Sequence, residues 1–125
     1  MTKKRLYFDM DGVLVDFKSG LAQQSEETLQ AYTGKEDEIP GLFGCMLPMP
    51  GAIEAVHELA KHYDCYILSC APWKNPSAWS DKVVWIIFAL LFLISLLEMF
   101  SASSRLVYWS SSVQGPILRH VIFFA

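Results

Sequence analysis

The segment RLYFDMDGVLVDF, from Arg5 to Phe17, sets three carboxylates, Asp9, Asp11 and Asp16, into a run that otherwise reads as a buried strand. A carboxylate taken out of water is costly unless it is paired or binds a cation. The chain therefore has to fold so that this segment ends at a polar opening. RLYFDM fits a strand buried on both faces. Residues two apart on an extended chain point the same way, so Asp9 and Asp11 can converge on one point, and Gly12 lets the backbone turn sharply just after them. Converging carboxylates repel each other unless a cation or a shared proton intervenes, and a small hard cation such as Mg²⁺ suits oxygen ligands. Asp16 reads as a helix N-cap in preference to a ligand.

The next stretches supply the partners of that strand. Phe17, Leu21, Thr28, Leu29 and Tyr32 recur at helical spacing, and Gly34 is a C-terminal stop. KEDEIPGLFGCMLPMPG, punctuated by proline and glycine, reads as a loop. Ala52, Ile53, Val56, Leu59 and Ala60 mark the inner face of a second helix, with His57 and Glu58 outward, and DCYILSC (Asp64 to Cys70) is a second buried strand. His57 and His62 have no paired ligand spacing and are assigned to no metal. Strand, helical insertion, helix, strand is the pattern of a parallel sheet in an α/β protein. Ligands bind beyond the carboxyl ends of such strands, where Asp9, Asp11 and Ser69 all fall.

A formal charge of −3 over 125 residues does not support a broad basic surface for a nucleic acid polymer. Cys45, Cys65 and Cys70 are an odd number without C-x-x-C spacing, which favours free thiols in a reducing cytoplasm over a disulfide framework or a zinc knuckle. The basic start lacks a long apolar stretch before the acids arrive, so no signal peptide is read.

DMDGVLVDF, LPMPGAIEAVHELA and YILSCAPW together resemble the haloacid dehalogenase-like phosphohydrolases, and more narrowly their 5'(3')-deoxyribonucleotidase branch, over roughly residues 4–85. The resemblance implies a Rossmann-like parallel sheet with a small helical cap, here a partial core over residues 1–82 with the cap inserted at about 17–50. It implies Mg²⁺-dependent hydrolysis of nucleoside monophosphates, with Asp9 as the nucleophile and Asp11 as the general acid, both also metal ligands. Ser69 would bind a phosphoryl oxygen with Cys70 beside it, Lys82 would contact the phosphate, and Phe17 and Phe43 would line the base pocket.

Other readings compete. Asp-x-Asp-Gly also suits a non-catalytic metal-binding turn or the metal clamp of a nucleotide-sugar glycosyltransferase, although the EF-hand pattern fails after Gly12. Ser69 suits a structural hydroxyl. Cys70 lacks the downstream arginine of a cysteine phosphatase loop and reads as a small buried residue. Lys82, with Asp81 and Lys74 nearby, reads equally as surface charge, and Trp73, Trp79 and Trp85 read as core filling.

Beyond Lys82 the sequence changes character. Residues 1–82 carry 8 Lys or Arg and 12 Asp or Glu, whereas residues 83–125 carry only Glu98, Arg105 and Arg119. The family's third-motif lysine and fourth-motif acids therefore have no counterpart in this divergent hydrophobic tail, and the C-terminal third of the core reads as missing or replaced. VVWIIFALLFLISLL (Val83 to Leu97) suits a membrane span through residues 83–101, a core helix, or a tail that a shift of reading frame near Val84 left unshaped for this fold. A complete site is not expected, and turnover is expected to be impaired. A non-catalytic truncated or frameshifted remnant that binds phosphate or a partner, and a membrane-attached protein, are the alternatives.

Overall fold

The computed structural model describes residues 2–92 and 120–124. It is α/β, built on a parallel sheet. Strand β1 (Arg5–Asp9) pairs parallel with β4 (Asp64–Cys70), placing Asp9 opposite Leu68. On the other side of β4 lies β5 (His120–Phe124), also parallel, with Ser69 opposite Phe123. The order is thus β1-β4-β5, and the end of the tail supplies the third strand.

The central strand buries Cys65, Tyr66, Ile67 and Ser69. By contrast, β1 is not buried on both faces as its apolar run suggests: it lies at the sheet edge, and Tyr7 and Asp9 on one face are exposed. Tyr7 rests against Tyr66, with ring centroids 5.1 Å apart. The other face turns Phe8 toward the core and is followed by the fully buried Met10.

Helix α3 (Ala52–Ala60) packs on β4 through Ile53 and Val56, as its spacing requires. Glu58 and His62 are exposed, whereas His57 is half-buried, so its outward placement is only partial. Between β1 and α3, the two-residue strands β2 (Val15–Asp16) and β3 (Leu47–Pro48) pair antiparallel and close the base of an inserted segment. Its single expected helix is two: α1 (Phe17–Leu21) and α2 (Glu26–Ala31). Asp16 caps the first, accepting from the Lys18 amide at 3.1 Å, and Ser25 starts the second by accepting from Thr28 N at 3.2 Å. A cap in mid-pattern offers the backbone an alternative to continued helix, which is why the period survives the break. Gly34 follows α2 at φ 78°, the left-handed turn its position suggests. The expected loop after it contains 3₁₀ turns at Glu36–Glu38 and Leu42–Gly44 as well as β3.

Helix α4 (Ser77–Ile86) continues as π-helical turns over Ile87–Phe92. Its inner side buries Ala78, Lys82, Trp85 and Ile86, while Val83, Val84, Ile87 and Phe88 on the outside remain exposed. Trp85 fills the core as expected and Trp79 is half-buried, but Trp73 is 75% exposed and meets only the edge of Trp79 at 6.2 Å. It precedes the turn into α4, where no second layer of the described residues covers it. Among the described residues no helix is long and apolar enough to cross a membrane. Residues 93–101 of the span considered from sequence lie outside the described residues, as do Glu98 and Arg105.

Candidate active site

The parallel pairing of β1 and β4 brings their C-terminal ends side by side, and the backbone beyond β1 then turns tightly. Gly12 has φ 78° and donates to Val15 O at 2.8 Å, while Leu14 N and Val15 N both donate to Met10 O, at 2.9 and 3.0 Å. This turn swings Asp11 away from the strand line. Asp9, the last residue of β1, is exposed, and its Oδ1 accepts from Met10 N at 2.7 Å.

At the centre stands Lys82, wholly buried on α4. Its Nζ donates to Asp11 Oδ2 at 2.6 Å, to Ser69 Oγ at 2.9 Å and to the Cys70 carbonyl at 2.6 Å. All three ammonium protons are used. The same nitrogen lies 4.5 Å from the centroid of the Phe43 ring, within cation–π range. Burial rules out the surface-charge reading of Lys82. An ammonium in such a place is tolerable only because a carboxylate and two further oxygens surround it. Asp11 Oδ1 is buried without a hydrogen-bond partner, an acceptor left for something else.

Two shallow hollows meet here. One, of about 250 Å³, is lined by Asp11, Phe17, Asp37, Phe43, Cys70 and Lys82 among others. The second, of about 320 Å³, takes Asp9 and Ser69, with Cys70 again at its wall. Five of the seven residues singled out from sequence thus share one hollow, and the remaining two lie in the adjoining one. Asp9 and Asp11 do not open into the same hollow, because the turn after Met10 ends the extended geometry on which their convergence was argued. Phe17 and Phe43 do come together, with ring centroids 6.1 Å apart. Cys70 is exposed rather than buried, since it is the last residue of β4, beyond the cover of α3.

Two residues at the site have no strong sequence signal. Asp37 lines the hollow from a 3₁₀ turn. Asn75 is fully buried and bonds across to that turn, and only its place before Pro76 marked a turn there. The exposed carboxylate of Asp9 and the backbone carbonyl of Asp11 are donors of the hard-oxygen kind that Mg²⁺ takes, and Mg²⁺ often uses one or two carboxylates and completes its shell with water and phosphate. The residues present fit that ion as a minimal donor set. Among the described residues, no group of three His, Cys, Asp or Glu is placed to hold a metal.

Fold and site together define an α/β protein with a carboxylate–lysine–hydroxyl cluster at the C-terminal edge of a parallel sheet. Its matched part is related to curated proteins that carry the name "Putative 5'(3')-deoxyribonucleotidase". One from Vibrio phage KVP40 is 54% identical over 84 residues, 67% of this chain and 49% of that protein. Another from Staphylococcus aureus strain Mu50 is 32% identical over 108 residues, covering 70% of this chain and 59% of its own length. A third, from Staphylococcus epidermidis strain RP62A, is 30% identical over 108 residues and covers 70% and 60%. The chain therefore spans between about half and three-fifths of the length of these relatives. No family model matches it. The resemblance read from the motifs is borne out, and its partial reach agrees with the change of character after Lys82.

Proposed function

We propose that this chain carries the site of a phosphoric monoester hydrolase of the haloacid dehalogenase-like kind, acting on nucleoside monophosphates and above all on deoxyribonucleotides in the cytoplasm. The supporting observation is the buried Lys82 ammonium, which draws Asp11, Ser69 and the Cys70 carbonyl together beyond the strand ends. In this reading an Asp9 oxygen attacks phosphorus, and the ester oxygen leaves with a proton from Asp11. Water then attacks the aspartyl phosphate as Asp11 takes its proton, and Asp9 is freed. Ser69 and Lys82 hold phosphoryl oxygens, with Cys70 at the wall and Phe17 and Phe43 against the base. Because Lys82 spends every donor on the protein, substrate phosphate has to displace one of these acceptors. Asp9 through its carboxylate and Asp11 through its backbone carbonyl would hold Mg²⁺, which would supply charge neutralisation between the anionic nucleophile and the phosphate and leave the Asp11 carboxyl to carry the proton.

With no third acid placed to join Asp9 and Asp11 on a metal among the described residues, Mg²⁺ binding is weak and turnover falls below the ordinary range of ~1 to 10³ s⁻¹. A second reading, phosphate binding without turnover, is favoured by the same observation, that no third acid joins Asp9 and Asp11 among the described residues. Phosphate release from deoxyuridine monophosphate, with and without Mg²⁺, separates the two. The expected result is slow, Mg²⁺-dependent release that Asp9→Asn abolishes, since an amide is a poor nucleophile. Release that survives in Asp9→Asn sinks the covalent mechanism, and none at all in the unaltered chain leaves the binding function.

A further inference from the structure

We infer that Asn75 is a positioning residue of the nucleotide pocket, pinning the Asp37–Gly41 stretch against the start of α4 and so fixing Asp37 and Phe43 around the substrate. The inference rests on the reading of the hollow as a nucleotide site. Asn75 is 1% exposed, and its Nδ2 donates to the carbonyls of Asp37 at 3.0 Å and Ile39 at 2.8 Å. Its Oδ1 accepts from Ser77 Oγ at 2.9 Å, and Ser77 Oγ accepts in turn from the Gly41 amide at 3.0 Å. Both amide protons are used, and three bonds link residues 75–77 to residues 37–41, with the Ser77–Asn75 bond joining their anchors. A buried polar side chain this fully matched defines one arrangement, because every alternative leaves donors or carbonyls unpaired.

That arrangement bears on the hollow because the pinned stretch carries Asp37 and leads directly into the turn that carries Phe43. Both line the hollow from three-residue 3₁₀ turns, which have too few internal bonds to hold themselves. The phosphate end is built differently. Lys82, Ser69 and the Cys70 carbonyl come from α4 and β4, and no bond of the Asn75 side chain reaches them. Loss of the clamp therefore falls on the part of the pocket that holds the nucleoside and spares the part that holds phosphate.

Calorimetric titration of the full chain with inorganic phosphate and with deoxyuridine monophosphate tests this. Asn75→Ala should weaken nucleotide binding by about tenfold or more, because binding then has to order the loosened stretch, while phosphate affinity stays within about twofold. Ser77→Ala removes only the outer link and should shift the same ligand in the same sense by less, so it decides the matter if Asn75→Ala loses its far-ultraviolet circular dichroism. Equal loss of both ligands, or unchanged nucleotide affinity in folded variants, overturns the role of Asn75 while the pocket reading stands. An unaltered chain that binds phosphate and not the nucleotide, or neither, overturns the pocket reading and this inference with it.

Discussion

Lys82 is the residue on which the site turns. Its ammonium satisfies three acceptors from two parts of the chain, the turn after β1 and the end of β4, and is itself wholly enclosed. Lys82→Met keeps much of the stem's packing but leaves Asp11 Oδ2, Ser69 Oγ and the Cys70 carbonyl without that donor. Half-exposed Asp11 can recruit water, so urea denaturation should show a loss of about 1–3 kcal/mol, the cost of unpaired buried polar groups, and not the larger figure for a fully buried broken ion pair. Phosphate binding should be lost as well; an unchanged phosphate titration would mean that Lys82 serves only the fold. The three thiols give a second measure at this scale. Burial pushes the Cys65 thiol above its ordinary value, whereas Cys70 is exposed at the hollows and Cys45 half-buried. Because the thiolate is the reacting form, iodoacetamide should label Cys70 first and Cys65 last. Phosphate should slow Cys70, and labelling led by Cys65 would contradict the burial. Asp9, Asp11 and Ser69 were legible because strand ends of a parallel sheet announce where ligands go. The burial of Lys82 was not, since Asp81 beside it is charged and only the fold decides which side of α4 faces in.

The elements divide in the same way. Strand β4 and helix α3 are found where their patterns put them, because each follows one uninterrupted period between clear stops. The inserted segment was less legible. Its apolar residues keep helical spacing through a break that Ser25 imposes, and its later turns draw their bonds from elsewhere in the chain. What holds this segment down is α4. Trp85 Nε1 donates to Met46 O at 2.8 Å in a buried position, and Asp81 lies beside Gly44, where a Cβ would come within 3.5 Å of its Cγ. Trp85→Phe keeps an aromatic ring and removes that donor, leaving a buried carbonyl unpaired. Thermal and urea unfolding should both report a loss of about 1–3 kcal/mol. No change in either would show that water replaces the indole and that the segment is held by its apolar contacts alone.

At the scale of the whole molecule, the unusual feature is α4's other side. Val84, Ile87 and Phe88 follow one another at the three- and four-residue spacing of a single helix face, and they are 62%, 54% and 59% exposed. Val83 adds to the same apolar surface at 37%. A soluble monomer seldom leaves a contiguous apolar patch of more than a few hundred Å² open to water. The sequence beyond Lys82 foretold this surface through its loss of charge, though the helix it forms on the described residues is too short to read as a span. Burial against like surface is the outcome physical chemistry favours, since each apolar Å² removed from water contributes about 25 cal/mol. The chain should therefore elute in size-exclusion chromatography at an apparent mass that rises with concentration, and mild detergent should reverse the rise. The variant Val84→Lys with Phe88→Glu breaks the stripe with opposite charges four residues apart on the solvent side. It should elute as a monomer over the same range and keep the affinity for phosphate, because neither position lines the hollows. A monodisperse monomer from the unaltered chain, without detergent and at every concentration, would mean that this face is already covered within the chain.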